Sequence, residues 1–130
     1  MAEAIVNARL GDQWRAFSAG TEPSGYVHPL AIKALSEIGI QHEGMSKHTD
    51  EFREMDFDLV ITDQAMPNMT GDVLAGEIKK LKPEIPIILT TGFSARVNED
   101  NYKELGFFAI VMKPWLMSEL NLVIQRALTA

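Results

Sequence analysis

The chain has 130 residues, 46% of them hydrophobic and 23% charged, a balance that suits one globular domain and excludes disordered or collagen-like character. A net charge of -6 makes it a poor partner for a phosphate backbone, so no nucleic-acid partner is expected. The sequence has no cysteine, which removes disulfides, thiolate zinc sites and cysteine nucleophiles.

The elements can be read in chain order. "MAEAIVNARL" places Met1, Ala4, Ile5 and Ala8 on one helical face, and Gly11 ends that helix. It has neither a basic n-region nor a signal h-region, and no apolar run in the chain is long enough to span a bilayer. A cytoplasmic protein with no membrane partner is expected. "WRAFSAG" reads as a short strand closed by Gly20. "HPLAIKALSEIG" reads as a helix with Pro29 in its first turn, a stripe of Ala31, Ala34, Leu35 and Ile38, and Gly39 as terminator. "SKHTDEFREM" is a polar helical turn, and "FDLVIT" is an apolar, β-branched run of the kind covered on both faces of a sheet.

After a loop, Thr70 is placed to cap a helix bearing Leu74, Ile78 and Leu81. "IPIILTTG" is a second buried strand, "NEDNYKELG" a short helix stopped by Gly106, and "FFAIVMKP" a third buried strand broken by Pro114. "SELNLVIQRAL" carries Leu120, Val123, Ile124, Ala127 and Leu128 on one face, with Ser118 as its cap. Strands alternating with helices indicate an α/β domain with a mostly parallel sheet.

From about residue 58 onward, "VITDQAMPNMTG", "IPIILTTG" and "FFAIVMKP" occur in an order that resembles the receiver domain of bacterial response regulators. The resemblance implies that Asp63 is the phospho-acceptor, that Thr91 is the switch hydroxyl contacting the phosphoryl group, and that Lys113 pairs with the phosphoryl oxygens. Pro114 falls where members often have a cis peptide, and Ile110 where many have a gating aromatic. A carboxylate at a strand's C-terminal end lies where α/β proteins bind ligands. Phosphoryl transfer there needs in-line positioning and charge neutralisation. The acidic pair with which receivers hold Mg²⁺ has no counterpart in the N-terminal half.

Residues 1–57 give a different resemblance. "MAEA", "SAGT", "HPLAIKALSEIGI" and "SKHTDEF" are similar to arsenate reductases of the low-molecular-weight tyrosine phosphatase fold. In that family "MAEA" follows the first strand and the phosphate-binding loop with its nucleophilic cysteine. The resemblance implies a start just downstream of that loop, and with no cysteine in the sequence no thiolate mechanism is expected.

Together these readings predict a single α/β domain over 1–130, a reductase/phosphatase-like segment at 1–57 joined to a receiver-like segment at 58–130. The fold expected is flavodoxin-like, a three-layer α/β/α arrangement with a four-stranded parallel sheet. Its central first strand is missing, and its strands run in sequence order, residues 14–19 pairing with 57–62. The gap left by the missing strand, roughly 9.6 Å, would otherwise leave backbone unpaired. Exposed sheet edges also offer a route to self-association.

The functional expectation is an engineered chimera, not an enzyme, with no retained activity and of interest for its fold, with neither cofactor nor metal. The alternative is a receiver-type phospho-acceptor in phosphorelay signalling through Asp63, with Thr91 and Lys113 contacting the phosphoryl group, Mg²⁺ as cofactor and a histidine kinase as partner. His28, His42 and His48 lack the paired spacing of a metal site, and the acidic "DEFREMDFD" reads as a solvated face.

Overall fold

The computed structural model describes residues 2–20, 23–42, 44–52, 54–66, 68–92 and 96–129. The chain clusters into two compact units, Met1–Met55 and Asp56–Ala130.

In the first unit, α1 (Ala2–Leu10) buries Ala4, Ile5 and Val6. Ala8 is exposed instead of sharing that face, and Met1 lies outside the described residues. Gly11 follows because a Cβ there would sit 2.2 Å from the carbonyl oxygen of Asn7. The strand expected at 14–19 does not form among the described residues. Its backbone is engaged otherwise: the Asn7 side chain accepts the Ala16 N–H at 2.7 Å and donates to the Ala16 carbonyl at 3.0 Å. A side-chain amide thus takes the bonds a neighbouring strand would have made. Among the described residues of this segment, Gly20 alone pairs, in a parallel bridge with His48.

α2 (Pro29–Glu37) starts as its sequence dictates, with Pro29 in the first turn and the His28 ring accepting the Leu30 N–H at 3.1 Å. It ends where Gly39 turns left-handed at φ 80°, letting Ile40 N–H reach the Leu35 carbonyl at 2.9 Å. Leu35 is its buried anchor. Thr49–Phe52 form a 3-10 turn. Glu3 receives the Ser18 hydroxyl and lies 3.3 Å from the Lys47 ammonium. Burial works to raise the Glu3 pKa, but the Ser18 and Lys47 interactions outweigh it and hold the carboxyl below its ordinary range.

The second unit contains β1 (Val60–Asp63), α3 (Gly71–Leu81), β2 (Ile87–Thr91), β3 (Ala109–Met112) and α4 (Met117–Thr129). The sheet is parallel with order β1-β2-β3, so it has three strands and not the expected four. The sequence order expected holds for these three. Asp63 is level with Thr90, and Thr91 with Met112. Every residue of β2 is buried, the apolar Ile87–Leu89 and the two threonines that follow them alike. Ile87, Ile88 and Leu89 each contribute about 1.5–3 kcal/mol by leaving water.

One face of the sheet packs Ile87 and Leu89 with Ala75 of α3, Ile85, Val97 and Phe107. Ile110 joins this cluster as an aliphatic filler. The α3 stripe differs from expectation: Ala75 is buried and Leu81 is exposed. Lys79 crosses that end of the helix to donate to the Pro83 and Ile85 carbonyls. Residues 98–105 form turns in place of the expected short helix, because the Asn98 carbonyl oxygen of the side chain accepts the Asp100 and Asn101 N–H groups. α4 buries Leu120, Ile124 and Ala127, and it starts at Met117, so Ser118 is inside it and is not its cap. No helix among the described residues is long and apolar enough to cross a membrane.

Gly71 marks the tightest approach in this unit. A Cβ there would lie 2.5 Å from the Asp63 carbonyl oxygen and 2.9 Å from a Leu89 methyl. Gly71→Ala should therefore destabilise the protein by about 1–3 kcal/mol through overpacking, read from the denaturant midpoint. An unchanged midpoint would show that α3 shifts away from the strand at no cost.

Candidate functional site

Three strand ends lie side by side in the second unit. β1 ends at Asp63, β2 at Thr91, and Lys113 directly follows β3. The Lys113 backbone N–H donates to the Thr91 carbonyl at 2.7 Å, so pairing continues one residue beyond the strand. The Lys113–Pro114 peptide is cis.

The Lys113 ammonium donates to Asp63 Oδ2 at 2.9 Å. The two side chains are 43% and 35% exposed, so solvent and a small anion can both reach them. An ion pair this exposed contributes only ~0.2–1 kcal/mol to stability. It places a positive charge beside the strand-end carboxylate. Thr91 is buried at the same end of the sheet, tied to Lys113 through its carbonyl.

A group that sequence reasoning missed surrounds the residue after Asp63. Gln64 is only 5% exposed. Its side-chain amide donates to Asp72 Oδ1 at 2.8 Å, and its carbonyl oxygen accepts the Asp72 backbone N–H at 3.0 Å. Gln64 thereby caps α3 from outside the helix. Thr70 occupies the N-cap position with extended backbone but makes no side-chain cap bond. The other Asp72 oxygen pairs with the Arg96 guanidinium at 2.9 Å, and the Asp72 side chain is 8% exposed. Burial works to raise the Asp72 pKa; the nearby Thr70 hydroxyl, the Gln64 hydrogen bond and the Arg96 charge outweigh it and hold the carboxyl below its ordinary range. A buried glutamine directly after a buried strand was the available signal for this network; nothing in the sequence pattern marked Arg96.

The receiver resemblance implies Mg²⁺, which takes oxygen ligands, usually including one or two carboxylates. Among the described residues no group of three or more His, Asp or Glu side chains could hold a metal ion. Asp63 faces an ammonium group instead. The described donor set does not fit the ion.

The sequence model of the response regulator receiver domain matches residues 30–125. The chain belongs to that family. The match begins at residue 30, well before the boundary at 58 drawn from motifs alone. A response regulator receiver domain protein of Clostridium thermocellum is 29% identical, with a TM-score of 0.57 covering 77% of this chain and 84% of that one. The DNA-binding transcriptional regulator NtrC of Azospirillum brasilense is 36% identical over 73 residues, which are 56% of this chain and 15% of the regulator. Arsenate reductase of Bacillus subtilis is 39% identical over 66 residues, 48% of this chain and 45% of the reductase. The chain thus spans under half the length of each of these two relatives.

These likenesses show a flavodoxin-like α/β fold with a parallel sheet. They also overturn the expectation of an engineered, inactive chimera of interest for its fold. The family match runs through both segments, and a solved receiver domain superposes on most of the chain.

The Asp72 carboxyl gives a pH prediction. Its folded pKa lies below its unfolded value, so its contribution to stability is present above the ordinary carboxylate range and is lost as pH falls through the lower folded value. Asp72→Asn should flatten the acid limb of the stability curve, measured by denaturant unfolding between neutral pH and pH ~2. An acid limb as steep as the parent's would show that Asp72 is not among the groups driving it.

Proposed function

We propose that the protein is a phosphorelay receiver that accepts a phosphoryl group on Asp63. The observation that carries this reading is the 2.9 Å pair between the Lys113 ammonium and the Asp63 carboxylate at the C-terminal end of the parallel sheet. In the reaction, an Asp63 oxygen attacks the phosphorus of a donor. The new P–O bond forms as the bond to the donor's leaving group breaks, and that group departs with the electron pair. The product is an acyl phosphate on Asp63. Lys113 offsets the charge on the phosphoryl oxygens during transfer, and the Thr91 hydroxyl contacts them afterwards. The natural donor is a histidine kinase or another phosphohistidine carrier. The protein is then a signalling acceptor, not an enzyme with a turnover substrate.

The receiver reading is favoured over a reductase because the chain has no cysteine to serve as a thiolate nucleophile. The similarity to arsenate reductases brings no chemistry that these residues can perform.

Incubation with acetyl phosphate, with and without Mg²⁺, should add one phosphoryl mass that is absent from Asp63→Asn. Lys113→Ala should slow the addition by about 100-fold, the scale of removing one fixed charge-stabilising group. An adduct that persists in Asp63→Asn would place the acceptor elsewhere, and no adduct under any condition would end the reading.

A further inference from the structure

Gln64 has four polar groups, and each is engaged. Its backbone N–H points to the Thr90 carbonyl at 3.4 Å, and its backbone carbonyl accepts the Gly71 N–H at 3.1 Å. Its side chain binds Asp72 at two points, the carboxylate and the backbone N–H. A residue held at four points has little freedom in φ and ψ, and Asp63 is its immediate neighbour. Gly71 closes the same arrangement from the helix side, with space for no Cβ against the Asp63 carbonyl.

The far side of Asp72 is fixed as well. Arg96 pairs with Asp72 Oδ2, and the Arg96 carbonyl accepts from the Asn101 side chain at 2.8 Å. The next residue, Val97, is buried in the core with Leu89 and Ala75. Arg96 therefore reaches Asp72 from an anchored base. The carboxylate has an amide donor on one oxygen and a guanidinium on the other, which leaves it one arrangement.

We infer that Gln64, locked by Asp72 and Arg96, is a positioning residue that aims the Asp63 carboxylate at Lys113. This rests on the phospho-acceptor reading for its consequence, but the aim itself is a property of the unmodified protein. Without the lock, the backbone at residues 63–64 gains freedom, and the carboxylate samples directions away from the ammonium group. Displacements of about 1 Å at a reacting group can cost up to about 100-fold in rate.

The geometry supplies a specific test, because donor and acceptor can be exchanged. Gln64→Glu removes the amide donor and sets a second carboxylate against Asp72 Oδ1. Gln64→Glu combined with Asp72→Asn restores a donor on the other side, and the new side-chain carbonyl still accepts from Arg96. Two readouts are needed on the full chain, alongside amide exchange of β2 to verify folding. The first is the NMR signal of the Lys113 side chain, which reports its pairing with Asp63 whether or not a phosphoryl group is ever added. The second is the rate of phosphorylation by acetyl phosphate. Gln64→Glu should move the Lys113 signal toward that of Asp63→Asn and slow phosphorylation by about 10- to 100-fold. The double variant should return both to near the parent values.

If Gln64→Glu leaves the Lys113 signal in place, or the double variant is no better than the single one, the positioning role is wrong. If the parent protein takes no phosphoryl group, the proposed function fails separately, and the Lys113 signal alone decides the inference.

Discussion

The pairing of β2 with both its neighbours is the constraint on which the functional end depends. β2 is buried along its whole length, so its backbone N–H and C=O groups must find partners in β1 and β3. Parallel pairing in the observed register then sets Asp63 level with Thr90 and carries β3 far enough that Lys113 closes on the Thr91 carbonyl. A shift of one residue in either pair would turn side chains to the opposite face and separate the carboxylate from the ammonium group. The geometry of the strand ends is thus specified largely by the apolar strand between them.

Electrostatics act on this frame at two depths. The Lys113–Asp63 pair is partly exposed, weak as a source of stability, and open to an anion. The Asp72–Arg96 pair has its carboxylate buried and joined to Gln64. Arg96 itself is largely exposed, so the strength of this arrangement lies in the Asp72 carboxylate being held from two directions. The first pair is open to solvent on both sides, whereas the second fixes a buried carboxylate between an amide and a guanidinium.

Much of this was legible in particular residues. The "VITD", "ILTT" and "VMKP" runs announced three strands and the residues at their ends, though only β2 is buried throughout while β1 and β3 are largely half-buried, and Pro29 with Gly39 bounded α2 correctly. The failures came where a side chain competed with the backbone. "WRAFSAG" has strand-like residues, but Asn7 takes the backbone bonds at Ala16. "NEDNYKELG" has helical spacing, but Asn98 draws backbone N–H groups into turns. Thr70 has the residue type of a cap, yet the bond comes from Gln64, outside the local window in which capping is normally sought.

The sequence by itself determined which residues stand at the strand ends. An apolar run has to be buried, its terminal aspartate then lies at a sheet edge, and a lysine before proline ends the last strand; these are local properties of composition and order. Only the tertiary structure decided that Lys113, fifty positions from Asp63, donates to it, and that Gln64, Asp72 and Arg96 join into one network. The reason is physical. Hydrophobic patterning acts along the chain with a fixed period, whereas a hydrogen bond between distant side chains depends on register and on the close approach that Gly71 permits, neither of which any local window contains.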